Sequence, residues 1–545
     1  MKNIAVAILS LSLIACSSEE ETPKLGKYDA KGVEAKGDIL VDATIGEASN
    51  LIPWVASDKP SHDVIANIYD SLIKYDKDLN LVPQLAESWE ISEDNLSITF
   101  KIREGVTWSD GKPFSVADVM ASYQTIIAPT TITPYAGDYQ MVQKAEIVNG
   151  KDFKVTYAEP FSPALASWSA LAILPKHLLE KEKDLSKSEL KTKPMGTGSY
   201  VLKNWQRGQE VILEANPTHF EHEPWISKTR TRLITDLDAQ FLELKAGKID
   251  MMGLKPLQYT RLTNKKEFTD RYAKYSYLGN GYTYMGFKLT HPLFEDKLVR
   301  QALSFATPRE DIVAGVLLGQ GLPIACPFKP GTWAYNEQLS PYPYNLEKAK
   351  ALLTQAGWVD TDGDGIIDKD GRAFSFTVMT NQGNDQRIKT AEIMQQAFKQ
   401  VGIEMAIQTQ EWSTFIENTI NKRQFEAFIL GWSLSVEPDP YDIWHSSKTG
   451  EREFNIIGFD NKEADDMMVK ARRTFNQAER KQYLDRFQEI LHDEQPYLFL
   501  YAPYALVALH KRFKNVKPAP AGIAYNFIDW YAPAEQQLYK ASMTK

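Results

Sequence analysis

The spacing of hydrophobic and polar positions divides this chain into stretches of different period. Residues 4–15 form an apolar run interrupted only by serines. That is the length of a secretory signal core and falls short of the ~20 residues a membrane-spanning helix needs. Residues 17–37 are polar, charged and glycine-containing, the composition of a flexible leash. Asp38, Ile39, Leu40 and Val41 open the first β-like run. From Leu96 to Ile102 apolar and polar residues alternate, predicting a half-buried strand. Ser109-Asp110-Gly111-Lys112 predicts a turn, and Ser115 with Asp118 predicts an N-capped helix ending near Ile127. Val201-Leu202 and Val211-Ile212-Leu213 read as strands around a turn at Gly208.

Beyond residue 290 strands and helices alternate. Asn345 caps a predicted helix with Ala349, Leu352, Leu353 and Ala356 on one face, ended by Gly357. Strands are predicted at Phe374–Val378, Ile403–Ile407 and Phe425–Leu430, with a helix from about Ile388 to Val401. Asn476 and Glu479 begin a helix carrying Leu484, Phe487, Ile490 and Leu491, stopped before Pro496. Such alternation predicts a sheet covered by helices.

Composition changes this picture little. Hydrophobic residues make up 43% and charged residues 24%, an ordinary globular balance in a chain long enough for two or three domains. The formal charge of −9 comes without a basic block, which excludes nucleic acid as an expected partner. Two cysteines make no disulfide framework. Leu13-Ile14-Ala15-Cys16 resembles the lipobox of bacterial lipoproteins. That resemblance implies cleavage after residues 1–15, lipidation of Cys16 and a leash over 16–37, with the lipid bilayer engaged through acyl chains only. The expected location is the cell envelope, facing the periplasm, or the cell surface in a Gram-positive host. Cys326, in an apolar stretch, is then an unpaired, buried small side chain.

Four segments in order, LAESWEISEDNLSITFKIREGVTWSDGKPFSVADV, GTGSYVLKNW, PLFEDKLVRQALSFATPREDI and GWSLSVEPDPYDIWHSS, resemble the large extracytoplasmic solute-binding proteins, family 5. These serve ABC importers of oligopeptides, dipeptides, nickel and related solutes. The resemblance implies a mixed α/β fold of two lobes joined by a hinge, with a small additional domain inserted in lobe one. Carried onto this chain, lobe one takes residues 38–78, 196–286 and 501–545. The additional domain takes 79–195 and lobe two 287–500, with hinge crossings near 286 and 500. It further implies a monomer that closes over a peptide or peptide-like solute and delivers it to ABC permease subunits.

Candidate binding residues concentrate after the strand ending near Leu430. Trp432, Tyr441 and Trp444 offer flat apolar walls; Glu437, Asp439 and Asp442 offer carboxylates. In peptide-binding relatives an acid three residues after the tryptophan pairs with the ligand's α-ammonium, but this chain has Ser435 there. The resemblance therefore shifts that role to Glu437 or Asp439, or implies a ligand lacking the amine. Asp439, between two prolines, equally fits a rigid turn. The segment from Glu47 to Trp54 resembles the family's cleft-lining loop, making Asn50 and Trp54 candidates; the alternative is an ordinary strand-to-helix connection. Trp412 is a further candidate wall.

The loop Asp360-Thr361-Asp362-Gly363-Asp364-Gly365-Ile366-Ile367-Asp368 follows EF-hand spacing. Carboxylates from Asp360, Asp362, Asp364 and Asp368 and the Ile366 carbonyl would ligate calcium. The twelfth position, normally a bidentate glutamate, is Gly371, and a solvated acidic hairpin is the alternative. No cofactor is otherwise required. His219 and His222 lack the helical spacing of a zinc hydrolase and are expected at the surface. No nucleophile elbow or phosphate-binding loop is present. The leading expectation is a binding protein without catalysis. The alternatives are a receptor for a nickel chelate or oligosaccharide, or an envelope lipoprotein using this fold as an enzyme, chaperone or adhesin.

Overall fold

The computed structural model describes residues 34–182 and 184–539. The apolar run, Cys16 and most of the leash lie outside the described residues. The first half of the chain carries β1 (Gly37–Thr44), β2 (Ala86–Ile91), β3 (Ser97–Ile102), β4 (Val142–Val148), β5 (Asp152–Tyr157), β6 (Tyr200–Gln206), β7 (Glu210–Ala215), β8 (Ile226–Leu233), β9 (Met251–Gly253) and β10 (Tyr272–Leu278). The second half adds β11 (Gly281–Phe287), β12 (Gly321–Pro323), β13 (Ser375–Asn381), β14 (Glu404–Gln410), β15 (Ala427–Ser433) and β16 (Tyr497–His510). A 12-stranded sheet runs in the order β14-β13-β15-β11-β16-β9-β1-β8-β7-β6, with β10 and β12 also pairing with β16. The order β2-β3-β5-β4 makes a separate antiparallel sheet.

The long strand β16 joins the halves. Tyr497 to Tyr501 pair with β11, whereas Tyr504 to His510 pair with β10. The first passage between halves falls at residues 279–280, earlier than the expected 286. The cause is register: Gly281 already pairs with Ser433, which places all of β11 in the second half.

Each half has cores on both faces of its sheet. Val41, Phe241 and Leu506 lie in one core of the first half, and Leu40, Ile226 and Trp530 in the other. The second half packs Phe287, Phe294 and Phe398 in one core and Tyr284, Phe428 and Trp444 in another. The four-stranded sheet does not stand alone. Phe100, Phe153 and Trp168 share one continuous core with Ile65, Ile68, Tyr200 and Leu213. That packing fuses the smaller unit to the first half. The result is the mixed α/β, two-lobed architecture with an added unit.

Local chemistry explains several element ends. Ser115 and Asp118 form a reciprocal capping box on the helix Val116–Ile126. Asn345 and Asn476 cap the helices Leu346–Gln355 and Gln477–Glu494. The helix Asp385–Lys399 starts before the expected Ile388 because Asn384 accepts from the Arg387 amide and caps it. The segment Gly196-Thr197-Gly198 lets the chain run against the end of the helix Lys59–Ile68. A Cβ on Gly196 would lie 1.8 Å from the Ile68 carbonyl oxygen. Among the described residues no helix is long and apolar enough to cross a membrane.

Candidate functional site

Strand β15 continues past the expected Leu430 to Ser433, so Trp432 lies on the strand, opposite Tyr282 of β11. Its half-buried indole is parallel to Tyr284, with centroids 6.3 Å apart, and meets Phe454 edge-on at 5.4 Å. Phe454 in turn meets Tyr135, at 5.4 Å. The Tyr135 hydroxyl donates to the Ala56 carbonyl at 3.0 Å. An aromatic chain thus crosses from the second half to the first. Beside it, Arg387 donates to Asn381 Oδ1 at 2.8 Å, and its Nη2 lies so near Gly431 that a Cβ there would approach it to 3.1 Å.

The acids of the following loop are charge-paired. Glu437 pairs with Arg480 at 2.5 Å, and burial pushes its carboxyl above the usual range. Asp439 accepts from Arg472 Nε at 2.8 Å and from the Tyr441 amide at 3.1 Å. Asp442 lies 3.4 Å from Lys448, and burial raises its pKa as well. The Ser435 hydroxyl donates to the Glu437 carbonyl at 2.6 Å and so shapes the loop. The guanidinium of Arg472 sits 3.8 Å over the half-buried Tyr441 ring.

Other expected positions fall elsewhere. Trp54 is 2% exposed and donates to the Ala172 carbonyl at 3.0 Å, so it is core and anchors its loop rather than walling a cleft. Asn50 is buried; its Oδ1 accepts from the Ile52 amide, closing a local turn. Trp444 is 1% exposed, against Tyr497 at 4.5 Å, and is also core. Trp412 bridges the halves: its ring lies over Gly46, where a Cβ would come within 2.9 Å of Cγ, and its buried Nε1 has no hydrogen-bond partner among the described residues. His219 is buried, against the expectation of surface, with Asp70 at 3.8 Å. Burial pushes its imidazole down to about 4 and Asp70 up to about 6. In the acidic loop Asp360, Asp362 and Asp368 bring carboxylate oxygens within 4.8 Å of one another. Asp364 turns away to accept from the Ile366 amide.

Sequence reasoning missed Arg472, Arg480, Arg387, Tyr135 and Phe454. The signal for the first two was available: three carboxylates within six residues demand nearby cations once buried.

A model of the bacterial extracellular solute-binding proteins, family 5 (middle region), matches residues 80–454. The chain belongs to this family. The oligopeptide-binding protein AppA of Bacillus subtilis (strain 168) is 35% identical over 540 residues, covering 96% of this chain and 97% of AppA. The structure of AppA in complex with a nonapeptide superposes with a TM-score of 0.88 at 33% identity, covering 92% of this chain and all of that one. DppA from Helicobacter pylori, in complex with the peptide STSA, gives 0.82 at 26% identity, covering 92% and 99%. NikZ from Campylobacter jejuni with Ni(L-His) also gives 0.82 at 26%, covering 91% and 99%. Members of this solute-binding family are non-enzymatic transport components, and this chain is not an enzyme. The carboxylates that follow Trp432 are accordingly charges held in ion pairs rather than acid–base catalysts.

Proposed function

We propose that the protein is the receptor of an ABC importer, taking peptides or peptide-like solutes between its halves and presenting them to the permease subunits. The observation that carries this reading is the similarity to peptide-complexed AppA over nearly the whole chain, joined to a half-buried aromatic, Trp432, on a strand that ends between the halves. Because Glu437 and Asp439 are already held by Arg480 and Arg472, affinity falls to main-chain hydrogen bonds and aromatic walls, which tolerate many sequences. Anchoring through lipidated Cys16 keeps the monomeric receptor near its transporter and raises its effective concentration there. The reading requires no cofactor.

Calorimetric titration with peptides of different length tests this. Wild type binds a subset, and Trp432→Ala weakens that binding by at least tenfold; no binding of any peptide would defeat the reading. The similarity to NikZ with Ni(L-His) favours a second reading, a metal chelate, which the same titration with nickel and histidine decides.

A further inference from the structure

The four-stranded unit, fused to the first half by a shared core, meets the second half at the C-terminal end of the helix Lys462–Arg473. A helix end leaves carbonyls without intrahelical partners. Here the smaller unit supplies partners: Ser162 donates its amide to the Arg472 carbonyl at 2.6 Å and its hydroxyl to the Ala471 carbonyl at 3.1 Å. Charge follows the same line. Arg473 pairs with Glu159 at 2.6 Å, and Arg472 Nη2 reaches Asp138 at 2.7 Å while its Nε holds Asp439. The Arg472 guanidinium also lies between two rings, 3.8 Å from Tyr441 and 5.4 Å from Phe161 of the smaller unit. Tyr441 and Asp439 belong to the loop that follows Trp432. One residue therefore grips both the candidate binding loop and the opposing body.

We propose that the smaller unit is a closing jaw, and that Arg472 is a positioning residue which sets the loop at 437–442 when the helix end docks on Asp138, Glu159 and Ser162. This rests on the reading of the cleft as a solute site. Solute affinity then depends on a contact that touches no solute, because only the docked form presents the loop in its binding position. Lysine cannot replace Arg472: a point charge does not fork to two carboxylates while stacking on a ring.

A charge swap at the exposed pair tests the jaw without disturbing either core. Glu159→Arg and Arg473→Glu, singly, place like charges together; each is expected to weaken peptide affinity roughly threefold to tenfold, mainly through faster dissociation, with the unfolding midpoint of the solute-free protein unchanged. The double reversal is expected to restore affinity to within about twofold of wild type. Arg472→Lys is expected to lose at least tenfold. Singles that bind as tightly as wild type, or a double reversal no better than the singles, would overturn the proposal. Failure of wild type to bind any peptide would defeat the proposed function instead. The jaw is then read by small-angle scattering of the solute-free proteins, in which the singles give a larger radius of gyration than wild type and the double does not. Equal radii there would overturn it.

Discussion

Arg512 gives the sharpest stability test. It is 0% exposed, and its guanidinium joins three distant parts of the first half. Nε donates to Asp38 Oδ2 at 2.8 Å, Nη2 donates to Asp250 Oδ2 at 2.6 Å and to the Ile39 carbonyl at 3.0 Å, and Nη1 also pairs with Asp250. Arg512→Met keeps much of the volume and strands two buried carboxylates. Asp250 keeps the Val41 amide and Asp38 keeps the Ile39 and Tyr539 amides, so neither is wholly bare. Breaking one partner of a buried ion pair costs about 3–5 kcal/mol, and these remaining bonds place the loss toward the lower end. The assay is urea unfolding, followed at the transition of the first half because a multidomain chain is not two-state. The pH dependence has a definite sign. Burial already raises the Asp250 pKa above its ordinary value despite Arg512. A carboxyl raised in the folded state favours folding at low pH and loses that contribution as pH rises. Removing the guanidinium raises it further, so the deficit of the variant narrows on acidification. Adding Asp38→Asn and Asp250→Asn should recover most of the loss. A variant within about 0.5 kcal/mol of wild type, the scale of a surface change, would refute the account of how this lobe is tied together.

Three further outcomes are expected. Gly46 carries no positive φ, so alanine there is conformationally free, yet its Cβ would lie 2.9 Å from Trp412 Cγ and 3.2 Å from Pro60 Cγ. Gly46→Ala should therefore weaken solute affinity about tenfold by obstructing closure while leaving the solute-free unfolding midpoint unchanged; calorimetry and urea unfolding check both. His219 is held neutral, its pKa lowered from 6.5 to about 4, so its share of stability is complete above pH 6.5 and is lost as pH falls toward 4. His219→Gln should lose less stability than wild type over that window, measured as the difference between their unfolding midpoints. Cys326 is 0% exposed and its thiol is pushed up to about 12 by burial, so a thiol reagent should leave it unmodified until urea unfolds the second half.

Local signals were the legible part of this sequence. Ser115, Asn345 and Asn476 cap helices through contacts two or three residues away, which spacing alone reveals. The double membership of β16 was not legible in its own pattern, because a 14-residue strand that is apolar up to His510 does not say where its partners change. The fate of the tryptophans was hidden for a similar reason. Trp54 and Trp432 look alike in sequence, and only the arrival of Ala172 over one and Phe454 beside the other separates a core side chain from a half-buried one. The loop acids pointed to a charged cleft, but their neutralisation rests on Arg472 and Arg480, which two separate helices deliver more than thirty residues later. The link from Arg472 to Asp138 spans 334 residues, beyond any local pattern.

The proposed capture of a peptide between the halves requires them to approach one another as solute binds. The most direct measurement is tryptophan emission and small-angle scattering of the same sample during titration with a peptide mixture, because Trp412 and Trp432 both lie where the halves meet. Capture between the halves gives a saturable change in emission together with a smaller radius of gyration, both strongly weakened by Trp432→Ala. Saturable binding with no change in radius, or binding untouched by Trp432→Ala, would contradict it.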